Sequence, residues 1–262
     1  MTIDNHSHER IIIGGSNHQR MIDWVNLTLV VALCSVLSFL SYRLGLLTAS
    51  GGVAALVVGM LIGVMGSVSW LLILIAFTIL GFLVTRYKLQ IKMSRGLQEG
   101  RKGERTYRNV LANGLVPALV AVIAWAMGAH GEMIPAVVYL SAISVAASDT
   151  MASEMGILSP KTRLITTFEK VSPGTDGGVS AYGTGWSILG AIGASALGWA
   201  FLFPEHLIDI WILVPILAGV LGCNVDSLLG ATLERGGYIG KLGTNILSMA
   251  AGTLVALGLL LS

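Results

Sequence analysis

Four short clusters hold most of the residues in this chain that could do chemistry. The first is Ser148-Asp149-Thr150, followed by Ser153 and Glu154. On a helix Asp149 and Ser153 share a face, while Glu154 lies about 140° round from Asp149, so the two carboxylates diverge. An ionisable residue within or beside an apolar span is costly and marks function by default. Carboxylates are hard oxygen ligands suited to Mg²⁺, which takes one or two of them together with substrate phosphates. The competing reading is neutralisation by a neighbouring Arg or Lys. The second cluster runs from Asn224 through Asp226 and Ser227 to Glu234 and Arg235. Asp226, Gly230 and Glu234 recur every four residues, as along one helix face, and Asp226 is the second metal candidate. Asn245 could cap the following helix or complete the site.

The third cluster, Lys170 to Ser180, contains Gly174-Thr175-Asp176-Gly177-Gly178. Glycines let successive backbone N–H groups turn toward an anion, and a following helix N-terminus strengthens that field. The P-loop spacing GxxxxGK[ST] is missing, so by itself this is a weak glycine-rich turn. The fourth is Arg105-Thr-Tyr-Arg108-Asn109, with Asn113 four residues on and on the same helix face as Asn109. Its cations could anchor anionic lipid headgroups or hold phosphates, for which the bidentate fork of Arg is suited.

These clusters need elements that position them, and composition restricts the choice. Only 11% of the 262 residues are charged and mean hydropathy is +0.79, against about 25% charged in soluble domains. So little polar surface makes lipid a large part of the solvent and predicts an all-α polytopic membrane helix bundle. Apolar segments lie at about 24–43, 50–66, 69–86, 112–128, 134–152, 184–203, 208–224 and 243–261. A hydrocarbon core near 30 Å needs about 20 such residues, so the second, fourth and seventh are short. Only Gly66-Ser67-Val68 separates the second and third, which predicts a tight helical hairpin. The 33 glycines suit close helix approach.

Lys and Arg in short loops set orientation. Placing 86–110 in the cytoplasm brings 153–183 and 225–242 with it. Every Lys and Arg except Arg10 and Arg20 is then inside, and both termini are extracytoplasmic. Residues 1–23, polar and carrying three histidines, read as a disordered tail before a single transmembrane domain, 24–262. Cys34 and Cys223 have neither disulfide-scaffold nor zinc-type spacing. Polar clusters confined to the inner face predict a site facing the cytoplasm of a cell membrane, where a soluble co-substrate such as a nucleotide meets a membrane-held partner.

Together the motifs resemble one family: the integral membrane proteins that include transmembrane protein nineteen of animals and the phytyl-phosphate kinase of chloroplasts. The matching stretches are LANG (111–114), SDTMASEMG (148–156), LIT (164–166), KVSPGTDGGVS (170–180), GT (183–184) and DSLLGATLER (226–235). The resemblance runs from about residue 44 to the C-terminus. It implies an enzyme that phosphorylates an isoprenyl monophosphate to the diphosphate with a nucleoside triphosphate. A fainter similarity to CTP-dependent dolichol and phytol kinases, in Asp149-x-x-Ala152-x-x-x-Gly156 and Lys170-x-x-x-Gly174-Thr175, makes CTP a donor beside ATP. The chain departs from the family pattern at Asp176-Gly177-Gly178, where SGG is usual, and at Lys241-Leu-Gly-Thr-Asn245, where an acidic pattern is usual.

The expected roles follow from phosphoryl transfer, which asks a protein mostly for positioning and charge neutralisation. Asp149 and Asp226, with Glu154 nearby, anchor Mg²⁺. Lys170 and the turn through Gly174, Thr175, Asp176, Gly177 and Gly178 to Ser180 hold the triphosphate. Arg105 or Arg108, with Asn109 and Asn113, holds the acceptor monophosphate. The partners are thus a nucleoside triphosphate (CTP or ATP), an isoprenyl monophosphate and membrane lipid, with no nucleic acid and with homo-oligomerisation left open. The alternatives are a CTP-dependent lipid cytidylyltransferase and a non-catalytic transporter or scaffold.

Overall fold

The structure, a computed structural model, describes residues 24–262; the tail expected at 1–23 lies outside them. Among the described residues eight helices are long and apolar enough to cross a membrane. They are α1 (Trp24–Arg43), α2 (Ala49–Leu61, continued by a π-helical turn Ile62–Gly66), α3 (Val68–Arg86), α5 (Tyr107–Ala126), α6 (Met133–Gly156), α7 (Ala181–Leu202), α8 (Leu213–Leu229) and α9 (Lys241–Leu261). A short α4 (Leu89–Ser94) lies between α3 and α5. The expected all-α membrane bundle is what the chain forms.

The largest differences from the expected bounds are at the fourth and seventh spans. The fourth span starts at Tyr107 because Thr106 and Asn109 close a capping box there: the Thr106 backbone N–H donates to Asn109 Oδ1 at 2.9 Å. Its polar first turn disguised it as loop. The seventh span continues past Leu229 through a π-helical turn, Gly230–Glu234, so it crosses as Ile210–Glu234. The second ends at Gly66, as expected, in a π-helical turn, Ile62–Gly66. Ser67 alone then separates it from α3, accepting a hydrogen bond from the Trp70 N–H at 3.2 Å.

Helix α6 is the axis of the bundle, packed by α7, α8, α9, α3 and α5. Its small residues make this possible. Ser141, Ala142, Ser144, Ala146, Ala147 and Ser148 are buried and let neighbouring backbones approach closely. A Cβ on Gly190 of α7 would stand 2.8 Å from the Ala147 carbonyl oxygen. Hydroxyls in this interior are paired: Ser148 with Ser187 at 2.7 Å, and Ser195 donating to Ser144 at 3.1 Å.

Chain alternation puts the connections 44–48, 87–106, 157–180 and 235–240 at one end of the bundle, and bonds tie them together. Thr48 N–H donates to the Arg105 carbonyl at 3.0 Å, and Arg105 N–H to the Leu46 carbonyl at 2.9 Å. Arg86 reaches the Gly45 carbonyl at 3.1 Å. The 157–180 connection carries a small antiparallel sheet that the sequence reading did not anticipate: β1 (Thr162–Leu164) lies between β2 (Lys170–Val171) and β3 (Gly178–Val179), with Arg163 opposite Lys170 and Val179.

Candidate active site

At this end a polar cavity of about 370 Å³ opens between the ends of α6, α7, α8 and α9, under the 96–99 and 174–180 segments. Asp149 of α6 and Asp226 of α8 both line it, from neighbouring helices. Each is held by α9. The Asn245 side-chain amide donates to Asp149 Oδ2 at 3.4 Å, and Ser248 Oγ donates to Asp226 Oδ1 at 2.9 Å. Two carboxyl groups on different rigid helices, steered by a third, form a fixed pair.

The glycine turn makes the roof. Gly174, Thr175, Asp176, Gly177, Gly178 and Ser180 all line the cavity. Gly177 has φ +73°, a conformation that favours glycine, and a Cβ there would run into the backbone of Ala231. Reciprocally, a Cβ on Gly230 would stand 2.8 Å from the Gly177 nitrogen. The turn is therefore seated on the π-helical end of α8, which explains glycines on both sides. Ser180 then caps α7, accepting from the Gly183 N–H at 3.0 Å, so the helix N-terminus borders the cavity. Gly177→Val is expected to unseat the turn, speeding amide exchange across 174–178 about tenfold or more; hydrogen exchange read by mass spectrometry in detergent checks it.

Other residues proposed from sequence stand elsewhere. Lys170 is exposed on β2, outside the cavity lining. Arg108 is exposed on α5, its Nε donating to Tyr107 Oη at 3.3 Å. Glu154 points away from Asp149, as the helical angle required, and is buried in an ion pair with Lys92 at 2.6 Å. Its other oxygen accepts from Thr85 Oγ1 at 2.7 Å, and Lys92 also donates to the Val84 carbonyl at 2.8 Å. Both Glu154 oxygens are thus committed to protein donors, away from the Asp149–Asp226 pair. Arg105, Asn109 and Asn113 line a second, apolar cavity of about 260 Å³ between α1, α2, α3 and α5.

Two further charged residues belong to the polar cavity. Glu99 and Lys241 both line it and pair at 3.6 Å. The Asn109 amide donates to Glu99 Oε1 at 2.9 Å, so Glu99 and Asn109 form a thin partition, one facing each cavity. Burial pushes the Glu99 carboxyl up, but the Lys241 ammonium, the Asn109 amide and the Arg105 guanidinium outweigh it and hold the group below the usual carboxylate range. Burial also lowers the Arg105 guanidinium, against the pull of Glu154, Glu99 and Asp149. The sequence signal for Lys241 was its place two residues before the last apolar segment, at the edge of the membrane. Glu99 carried none.

The comparisons agree with the motif reading at the level of family. Residues 32–253 match the family described as integral membrane protein DUF92. The chain is 34% identical over 232 residues to the uncharacterized membrane protein MJ0933 of Methanocaldococcus jannaschii, covering 88% of this chain and 93% of that one. It is 28% identical to Protein PGR of Arabidopsis thaliana, over 81% of this chain and 80% of that protein. It is 29% identical to Protein VTE6, chloroplastic, of the same plant, over 80% of this chain and 64% of that protein. No solved structure matches. Matched over most of its length, and carrying the motifs in order, the chain belongs to the DUF92 family of integral membrane proteins.

Proposed function

We propose that this chain is a membrane-embedded isoprenyl-monophosphate kinase, moving the terminal phosphoryl group of CTP or ATP onto a prenyl phosphate. The observation that carries the reading is the paired Asp149 and Asp226 beneath a glycine turn, in a polar cavity divided only by Glu99 and Asn109 from an apolar one. The family resemblance supplies the reaction class.

The donor set fits a cation of the Mg²⁺ type. Among the described residues no three His, Cys, Asp or Glu side chains converge, so an ion on this pair would share its coordination with water and phosphate, as Mg²⁺ commonly does. When bound, such an ion neutralises charge on the donor phosphates. Asp149 and Asp226 would hold it. Backbone N–H groups of the turn other than those of Thr175 and Gly178, which donate to the Ser172 and Thr175 carbonyls, would receive the phosphates with the α7 N-terminus, and Lys241 would add positive charge from the α9 side. An oxygen of the acceptor phosphate attacks the terminal phosphorus, that phosphorus parts from its bridging oxygen, and the nucleoside diphosphate leaves. The attacking phosphate is already anionic at neutral pH, so no general base is required. The concentration of Lys and Arg at this end of the bundle supports placing the cavity on the cytoplasmic side of a cell membrane.

Purified protein with Mg²⁺, a prenyl monophosphate and CTP or ATP is expected to yield prenyl diphosphate and nucleoside diphosphate by mass spectrometry. Pyrophosphate with a cytidylylated lipid would assign the same cavity to a cytidylyltransferase. No turnover with prenyl monophosphates of any chain length, with either nucleotide, would overturn the kinase reading.

A further inference from the structure

The apolar cavity between α1, α2, α3 and α5 contains two features that seldom coincide. Its walls are hydrocarbon: Leu37 from α1, Val58 from α2, and Leu74 and Phe77 from α3 among them. Yet its loop-side end is lined by Asn109, Asn113 and Arg105. Arg105 is only 9% exposed. Its Nη2 donates to Thr85 Oγ1 at 3.1 Å, but its Nε–H has no hydrogen-bond partner. A buried, unpartnered donor on a cation calls for an explanation, and an anionic oxygen entering from the cavity would supply one.

The cavity also has a side door. Leu40 on α1, Leu44 just beyond it and Ile79 on α3 line it and are exposed on the outer surface of the bundle. Along α1 the lining runs from Ser41 back to Cys34, about 10 Å of helix. A molecule dissolved in the bilayer could enter here without crossing water.

We propose that this cavity is the acceptor site and takes an isoprenoid tail lengthwise, entering between α1 and α3, with the phosphate at Arg105 and Asn113. The assignment rests on the kinase reading only for what the phosphate is used for. Apolar contact holds the tail, and the cation selects an anionic head over the alcohol. The Glu99–Asn109 partition then separates acceptor from donor by one pair of side chains.

The test is Ala55→Trp, which fills the cavity from α2, where Ala55 lines it. Binding of geranylgeranyl phosphate, geranylgeraniol and dimethylallyl phosphate is measured by native mass spectrometry in detergent, alongside turnover. The preference for the geranylgeranyl over the dimethylallyl phosphate is expected to fall about tenfold or more in the variant, and wild type is expected to bind the phosphate well above the alcohol. Arg105→Lys keeps the charge and is expected to narrow that second gap. An unchanged tail preference in folded Ala55→Trp overturns the assignment, and so does equal binding of alcohol and phosphate, which would mark a groove filled by bulk lipid. Should Ala55→Trp fail to fold, Leu74→Ala, which widens the cavity, must alter the same preference or the assignment falls. Wild type that binds with this preference but transfers no phosphate sinks the kinase reading alone. Wild type that transfers phosphate while the cavity variants keep its tail preference sinks this assignment alone.

Discussion

Asp149→Asn and Asp226→Asn are each expected to reduce turnover about a thousandfold or more, and the double variant to be no worse than either alone. Groups acting as one unit lose their function together, so their effects do not add. Stability should move the other way. The two carboxyl groups line one cavity from facing helices, and like charges so placed repel one another. An amide of the same shape removes that repulsion while still pairing with Asn245 or Ser248. The thermal midpoint in detergent should therefore stay level or rise as activity vanishes, the pattern of a site held against stability. A parallel fall in both quantities would instead mark the pair as structural.

Glu154→Gln is expected to do the reverse: unfold the protein early while sparing the chemistry that survives. The change leaves the Lys92 ammonium, whose side chain is fully buried, without its counter-charge. Breaking such a pair from one side costs about 3–5 kcal/mol. Replacing both partners, as Lys92→Met with Glu154→Leu, should recover much of the loss, because the Lys92 ammonium is then no longer stranded and Arg105 keeps Glu99 as counter-charge. Chemical unfolding in detergent reads the difference. A Glu154→Gln protein of wild-type stability with no activity would return Glu154 to the metal set.

The contrast between these neighbouring carboxylates shows how far the sequence could be read. Apolar runs and the Lys/Arg bias located the spans, because the membrane allows few other backbones. What they missed were continuations: α5 begins with charged and polar residues, and α8 carries on through Gly230–Glu234. Hydropathy counts side chains, whereas caps and π-turns depend on backbone bonds. The small sheet around Thr162–Leu164 was hidden for a related reason, since two-residue strands have no periodicity to detect.

The cavity residues divide in the same way. Asp149, Asp226 and the 174–178 glycines stood out as polar or turn-forming groups beside apolar runs, and the cavity gathers them. Lys170 was grouped with the glycine turn by adjacency, but pairing with β1 leaves it exposed on β2. Glu99 and Lys241 lie far apart in the chain, and only the closure of α9 against the 96–99 segment brings them together. A sequence without contacts cannot announce such a pair.

The clasp between Leu46–Thr48 and Arg105 bears on how α1 can move. This helix is the least embedded of the eight, with 11% of its apolar window buried, yet the backbone just after it is stitched to the start of α5. Any swing of α1 pivots on that seam, like a door hung from one jamb. The gap bordered by Leu40 and Ile79 would then lengthen along α1 away from Leu44, while the charged corner beside the seam stays in register.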